Sequence, residues 1–273
     1  MDGLAAQAPF SVPFVTPTIY PNLTERCLSS TLPRPTLFGA EILNVTTSLV
    51  TNYTAYFTPP NFFNSDPPLY GAAEDLSFCN ITVTYTHPGQ DDSINVFLWL
   101  PVSILDDVSF NSTEYQLDQS PPQSVDARKG KTTPEWNGIL LSAGGGGLST
   151  CLPDFVSHTA LSQGYALSRT DGGHPPIHFN FTTGDVENPP TESWALLSPG
   201  NVNLYNFQDF ASVALHDMAV ISKDVVDSFY HIPARYAYFQ GCSTGGRQGL
   251  MLAQRYPNDY DGILAGAKAS RHS

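Results

Sequence analysis

The stretch Tyr236-Ala-Tyr-Phe-Gln-Gly-Cys-Ser-Thr-Gly-Gly-Arg-Gln-Gly-Leu-Met-Leu-Ala-Gln-Arg-Tyr-Pro257 decides the fold. Within it, Gly241, Ser243 and Gly245 spell G-x-S-x-G. A strand-like aromatic run precedes the motif, and a helix-like run over Thr244–Tyr256, stopped by Pro257, follows it. That context predicts a nucleophile elbow, a sharp strand-to-helix turn on which a serine sits with strained backbone angles. Glycines two residues to either side remove side chains that would collide in such a turn. The turn lifts the hydroxyl to the carboxyl end of the sheet. It also aims the Thr244 N–H, at a helix N-terminus, toward a developing oxyanion.

Outward from the elbow, strands and helices alternate. Residues 79–86 and 94–100 read as adjacent strands, the second apolar on both faces and therefore central. Residues 138–143 read as a buried strand ending in the run Gly144–Gly147, with a helix over 153–163 and a strand over 165–169 to follow. Asp209 to Tyr230 reads as one long helix, with Phe210, Val213, Ala214, Met218, Ile221, Val225 and Phe229 on one stripe. A last strand covers 262–267. This alternation predicts an α/β fold, a mostly parallel sheet with flanking helices and a ligand site at its carboxyl edge. Residues 1–78, rich in Pro, Thr and Asn, read as an irregular flank with short β and helical pieces, and 103–134 as a long surface loop.

Tyr238-Phe-Gln-Gly-Cys-Ser-Thr-Gly-Gly-Arg-Gln-Gly, followed by Ala253-Gln-Arg-Tyr-Pro-Asn-Asp-Tyr-Asp-Gly-Ile-Leu-Ala-Gly-Ala267, resembles the tannase and feruloyl esterase family of secreted α/β-hydrolase serine esterases. The likeness extends through Trp136-Asn-Gly, Gly144–Gly147, Thr170-Asp-Gly-Gly-His174 and the helix containing His216, from about 79 to 267. It implies a core over 79–267 and a tail at 268–273 foreign to the family. By the same resemblance Ser243 is the nucleophile, and Cys242 is half of a disulfide whose partner lies beside the catalytic histidine. Family members continue from this strand with Gly-Ala-Pro-Ala and about as much chain again, whereas this sequence reads Gly266-Ala-Lys-Ala-Ser-Arg-His-Ser273. The expectation is a chain truncated after the strand that follows the nucleophile helix. It would lack the lid, which in the family forms much of the substrate pocket and carries calcium; no metal or other cofactor is expected here.

Four cysteines, Cys27, Cys79, Cys151 and Cys242, allow three pairings. The resemblance implies Cys27 with Cys79, leaves Cys242 without its partner and assigns nothing to Cys151.

The run Gly144–Gly147 sits where α/β hydrolases place their second oxyanion donor, so Gly145 and Gly146 join Thr244 as candidates. No Gly-Lys-[Ser/Thr] follows the run, which argues against a phosphate loop. Asp171-Gly-Gly-His174 reads as polar bracing of the pocket wall. Asp217, near the apolar stripe, reads as a buried, hydrogen-bonded aspartate beside His216. His87, His158, His178 and His231 have no patterned neighbours. In this fold the acid and base follow the serine in the chain. After Ser243 the acids are Asp259 and Asp261, at the wrong end of the sheet, and the one histidine is His272. Acid and base are therefore expected to be missing, and a serine hydroxyl without a base is a poor nucleophile.

Composition narrows the setting. Charged residues are 14%, against roughly 25% in ordinary soluble proteins, and the net charge of −13 repels nucleic acid. No apolar run reaches membrane-spanning length. Asn-x-Thr occurs at Asn22, Asn44, Asn52, Asn80, Asn111 and Asn180, against about one occurrence by chance, which points to a secreted glycoprotein. Alternation in 79–86 should turn Asn80 to solvent. Residues 1–20 show no basic start, and Pro9, Pro13 and Pro17 interrupt them, so a signal peptide is not visible. The resulting expectation is a carboxylic ester hydrolase for small galloyl or feruloyl esters, as in plant polyphenols or polysaccharide-linked phenolic acids. The alternatives are a serine peptidase of the same fold and a non-catalytic secreted glycoprotein that binds aromatic or carbohydrate ligands.

Overall fold

The structure, a computed structural model, describes residues 23–28, 30–55, 73–102, 135–151, 160–175, 178–179, 186–187 and 190–266. The expected surface loop at 103–134, most of the helix at 153–163 and the tail at 268–273 lie outside them. So do Asn22, Asn111, Asn180, His158 and His272, and the side chain of His178.

A short helix α1 (Leu23–Arg26) leads to β1 (Glu41–Ala55), β2 (Ala73–Thr86), β3 (Ile94–Pro101), β4 (Ile139–Ala143) and β5 (Ala166–Thr170). Small pieces follow: β6 (His178–Phe179), β7 (Val186–Glu187), α2 (Glu192–Ala195), β8 (Leu196–Ser198) and β9 (Asn201–Val202). Helices α3 (Leu204–Ala211) and α4 (Val213–Tyr230), β10 (Tyr236–Cys242), α5 (Thr244–Arg255) and β11 (Gly262–Gly266) complete the order.

Seven strands form one sheet in the order β1-β2-β3-β5-β4-β10-β11. It is mixed: β5, β4, β10 and β11 run parallel, while β1, β2 and β3 pair antiparallel to one another and β3 antiparallel to β5. The parallel half is where helices cross between strands. The antiparallel half arises because the connection between β2 and β3 is too short for a crossover. A division at 78/79 would fall inside β2, and β1, expected in an irregular flank, is a fifteen-residue strand of the same sheet.

The main core lies under α4, where Leu215, Met218, Ile221, Val226 and Phe229 pack on Ile81, Val83, Val96, Leu98 and Leu140. Each large apolar side chain so buried contributes about 1.5–3 kcal/mol. A smaller cluster of Phe78, Trp99, Leu161 and Leu167 holds the rest. Cys27 and Cys79 form a disulfide with Cα atoms 5.5 Å apart, pinning the segment after α1 to the middle of β2 across 52 residues. Closing a loop of that length stabilises by about 4 kcal/mol in the chain-entropy account.

The single helix expected from Asp209 to Tyr230 is two helices. Ser212 leaves the helical region with φ −161° and ψ −42°, and its N–H returns to Gln208 O at 2.8 Å. The break is held from outside. Arg247, on α5, donates to Phe210 O (3.2 Å) and Ala211 O (3.1 Å), and Arg255 donates to Ser212 Oγ (3.0 Å). Carbonyls that a continuous helix would consume are thus given to cations at a helix C-terminus, where a positive charge is favoured. The apolar stripe continues across a break of this kind, so periodicity alone does not reveal it.

Candidate active site

Ser243 joins β10 to α5 with φ 58° and ψ −114°, a region that costs a side-chain-bearing residue about 1–3 kcal/mol. The flanking glycines make the turn possible. A Cβ on Gly241 would lie 2.5 Å from the Gly245 carbonyl carbon and oxygen, and one on Gly245 would lie 3.0 Å from Gly145 O. Ser243 is exposed, while Thr244 behind it is buried. Its backbone N–H donates to Gly266 O at 3.2 Å, locking the turn to the end of β11.

The loop after β4 is fastened to this turn. Gly245 N–H donates to Gly145 O (2.9 Å), Thr244 Oγ1–H donates to Gly147 O, and Gly144 N–H donates to Gln240 O (2.9 Å). Gly146 therefore lies between two residues that bond the two positions following Ser243. Gln248, on α5 and fully buried, completes the clamp: Oε1 accepts from Gly145 N–H at 2.8 Å, and Nε2 donates to Thr150 O at 3.2 Å. Because the Gly145 N–H is engaged with Gln248, it is not free for a substrate oxyanion. The Gly146 and Thr244 N–H groups have no acceptor among the described residues.

Behind the loop, His174 Nε2 is 2.6 Å from Thr150 Oγ1, and its ring stacks on Trp194 with centroids 4.4 Å apart. Burial pushes its proton affinity below the ordinary imidazole value. Asp171 accepts from Asn95 N–H (2.9 Å), Asn95 Nδ2 (2.7 Å) and Gly173 N–H (2.9 Å), bracing β3 against the end of β5. Burial raises its carboxyl above the usual range despite those donors.

The acids after Ser243 sit at the amino edge of the sheet. Asp261 N–H donates to Ala237 O and Asp261 Oδ2 accepts from Ala237 N–H, both at 2.8 Å. From Ala237 to Ser243 is about 20 Å along the strand. Asp259 is bound to His216 Nδ1 at 2.8 Å, and the hydrogen bond holds that imidazole above its ordinary proton affinity. Among the described residues, Ser243 Oγ has no hydrogen-bond partner, and Cys242 is an exposed free thiol.

Two features escaped the sequence. Gln248 lies on the same helix face as Thr244, four residues on, and an amide there was its one visible signal. The second is a buried cluster of His87, Asp92, Asp209 and Asp217. Its members are scattered over 131 positions of chain, with no spacing to betray them. Hydrogen bonding to Asp217 raises His87 to about 9, and burial pushes Asp209 up to about 7.

The chain as a whole is similar to known proteins. The family described as tannase and feruloyl esterase matches residues 128–273. A probable feruloyl esterase of Arthroderma benhamiae is 35% identical over 194 residues, covering 71% of this chain and 29% of that relative. Feruloyl esterase B of Aspergillus niger is 34% identical over 134 residues, 49% of this chain and 22% of its own length. Among solved structures, the tannin acyl hydrolase from Aspergillus niger superposes with a TM-score of 0.63 at 27% identity, over 92% of this chain and 38% of that one. Feruloyl esterase B from Aspergillus oryzae shares the fold, with a TM-score of 0.57 at 24% identity over 90% of this chain and 37% of its own. The chain thus spans well under half the length of these relatives. It belongs to the tannase and feruloyl esterase family.

Proposed function

We propose that this chain supplies the nucleophile and the oxyanion donors of a secreted carboxylic ester hydrolase acting on esters of aromatic acids, galloyl or feruloyl. Ser243 Oγ attacks the ester carbonyl, and the N–H groups of Thr244 and Gly146 receive the oxyanion. The observation that carries this reading is the exposed Ser243 at φ 58° with the Gly144–Gly147 loop hydrogen-bonded to the two residues after it. The relatives' names, feruloyl esterase and tannin acyl hydrolase, support the substrate class.

The acid and base would come from outside the described residues, since Ser243 Oγ has no partner among them. On its own, the 273-residue chain would then be weakly active or inactive. Donors fixed around the oxyanion position are the preorganised part of such catalysis, while an unassisted serine hydroxyl remains a weak nucleophile. Secretion fits the exposed glycan acceptors Asn44 and Asn52, and no helix among the described residues is long and apolar enough to cross a membrane.

The test joins residues 1–266 to the remainder of the Aspergillus niger tannin acyl hydrolase beyond the counterpart of Gly266. Hydrolysis of methyl gallate or methyl ferulate, well above that of a peptide substrate, supports the reading. Preferential peptide cleavage would favour a peptidase, and tight binding of gallate or ferulate without turnover would favour a non-catalytic binding protein.

A further inference from the structure

His87, Asp92, Asp209 and Asp217 meet from four places in the fold: the residue after β2, the turn between β2 and β3, α3 and α4. His87 Nδ1 is 2.6 Å from Asp92 Oδ2, and Nε2 is 3.2 Å from Asp217 Oδ2. His87, Asp92 and Asp209 each present one ligand atom, and these atoms lie within 4.8 Å of one another. Asp209 is 1% exposed, yet its Oδ2 has no hydrogen-bond partner among the described residues. A buried polar atom left without a partner is costly, and an ion is one of the groups that satisfy such an atom. Three carboxyl groups face one imidazole, and with all three ionised two negative charges stay uncompensated even when that imidazole is protonated, a state that a bound cation would favour.

We propose that His87, Asp92 and Asp209 bind a divalent transition-metal cation, with Zn2+ the representative ion and Asp217 alongside. One imidazole with carboxylate oxygens is a donor set for such ions, whereas calcium prefers six to eight oxygens. The supporting hydrogen bonds are already formed. Asp92 Oδ1 accepts from Thr86 Oγ1 (2.6 Å) and His87 N–H (2.8 Å), and Asp217 Oδ2 accepts from Tyr85 O–H (3.0 Å). Both imidazole nitrogens face a carboxylate. When the ion binds, one nitrogen ligates it and the other N–H keeps its carboxylate, an arrangement that fixes the ring and raises its basicity as a ligand. The proton displaced from His87 passes to solvent. The ion would tie the β2–β3 turn to α3 and α4, and it is distinct from the calcium that the family resemblance assigns to a lid insertion.

The test uses the 273-residue protein stripped of metal by chelation and dialysis, with Cys242 alkylated to remove thiol binding. Calorimetric titration with Zn2+ should give one ion per chain, with heats that depend on the buffer's ionisation enthalpy because protons are released. Thermal melting should rise with Zn2+ and not with Ca2+ at equal concentration. Asp209→Asn, which keeps the shape and removes the charge, should weaken binding at least about tenfold, and His87→Asn should do the same. The His87 variant carries the comparison if the Asp209 variant does not fold. Absence of saturable Zn2+ binding by the unsubstituted protein overturns the proposal, as does an affinity unchanged in the variant that folds. Preferential stabilisation by Ca2+ also overturns it. None of these readouts depends on esterase activity.

Discussion

Gly245 N–H donates to Gly145 O at 2.9 Å, so the turn after the nucleophile and the loop after β4 share a backbone hydrogen bond. That approach needs Gly245 to lack a side chain, since a Cβ there would lie 3.0 Å from Gly145 O, and the turns on either side are equally tight. A Cβ on Gly145 would lie 2.0 Å from Ser149 O, and one on Gly241 would lie 2.5 Å from the Gly245 backbone. Gly145→Ala and Gly241→Ala should each destabilise by about 1–3 kcal/mol or more, because the obstructing atoms are backbone and cannot swing away. Gly89→Ala is the control. Gly89, unlike Gly145 and Gly241, has a positive φ, at 86°, and nothing within 4 Å, so only the conformational penalty of about 1 kcal/mol applies there. Denaturant midpoints measure all three, and equal losses would contradict the close approach.

The pair His216–Asp259 predicts a pH dependence of stability. The hydrogen bond to Asp259 raises the imidazole's proton affinity in the folded chain. A raised folded value contributes stability that is full below the unfolded value, about 6.5, and is lost as pH rises through the folded one. Melting temperature should therefore fall as pH rises above about 6.5, and His216→Asn should flatten the decline. A slope unchanged by that substitution would assign the effect elsewhere.

Asn44 and Asn52 project exposed from β1, the edge strand of the sheet. Asn80 is half-buried, and its Oδ1 accepts from Trp99 Nε1 at 3.1 Å. After expression through a eukaryotic secretory pathway, glycopeptide mass spectrometry should find Asn44 and Asn52 occupied, and Asn80 less so. A glycan on an edge strand also blocks edge-to-edge pairing. Unmodified Asn44 and Asn52 would remove the main support for secretion.

Cys242 is exposed, whereas Cys27 and Cys79 are joined and Cys151 is buried. Alkylation of the native 273-residue protein should label Cys242 first, and Cys151 only after unfolding. Protection of Cys242 in the native state would mean that a group outside the described residues covers it.

The elbow was legible because its chemistry is local: a strand run, glycines at fixed offsets from Ser243 and a helix stopped by Pro257. The stripe on α4 was legible for the same reason. What the sequence hid depends on contacts between distant elements. The break at Ser212 is held by Arg247 and Arg255 from another helix. Gln248 reveals itself only when Gly145 is placed against it. β1, with its polar and apolar residues mixed, belongs to the sheet because β2 supplies its partners over eleven aligned pairs. His87 lacked patterned neighbours in sequence because Asp209 and Asp217 reach it from two helices more than a hundred residues away.

The central claim is that Ser243 is the nucleophile, and one comparison tests it most directly. In the fusion of residues 1–266 to the rest of a tannin acyl hydrolase, initial rates of methyl gallate and methyl ferulate hydrolysis are measured with Ser243 and with Ser243→Ala. Ser243 is exposed at the turn, so the substitution removes the attacking atom, keeps the Cβ and with it the same backbone strain, and opens no cavity. The account predicts that kcat falls at least about a thousandfold, on the scale of removing a catalytic serine, while the variant melts no lower than the parent. Turnover that survives Ser243→Ala in a folded protein would contradict the account.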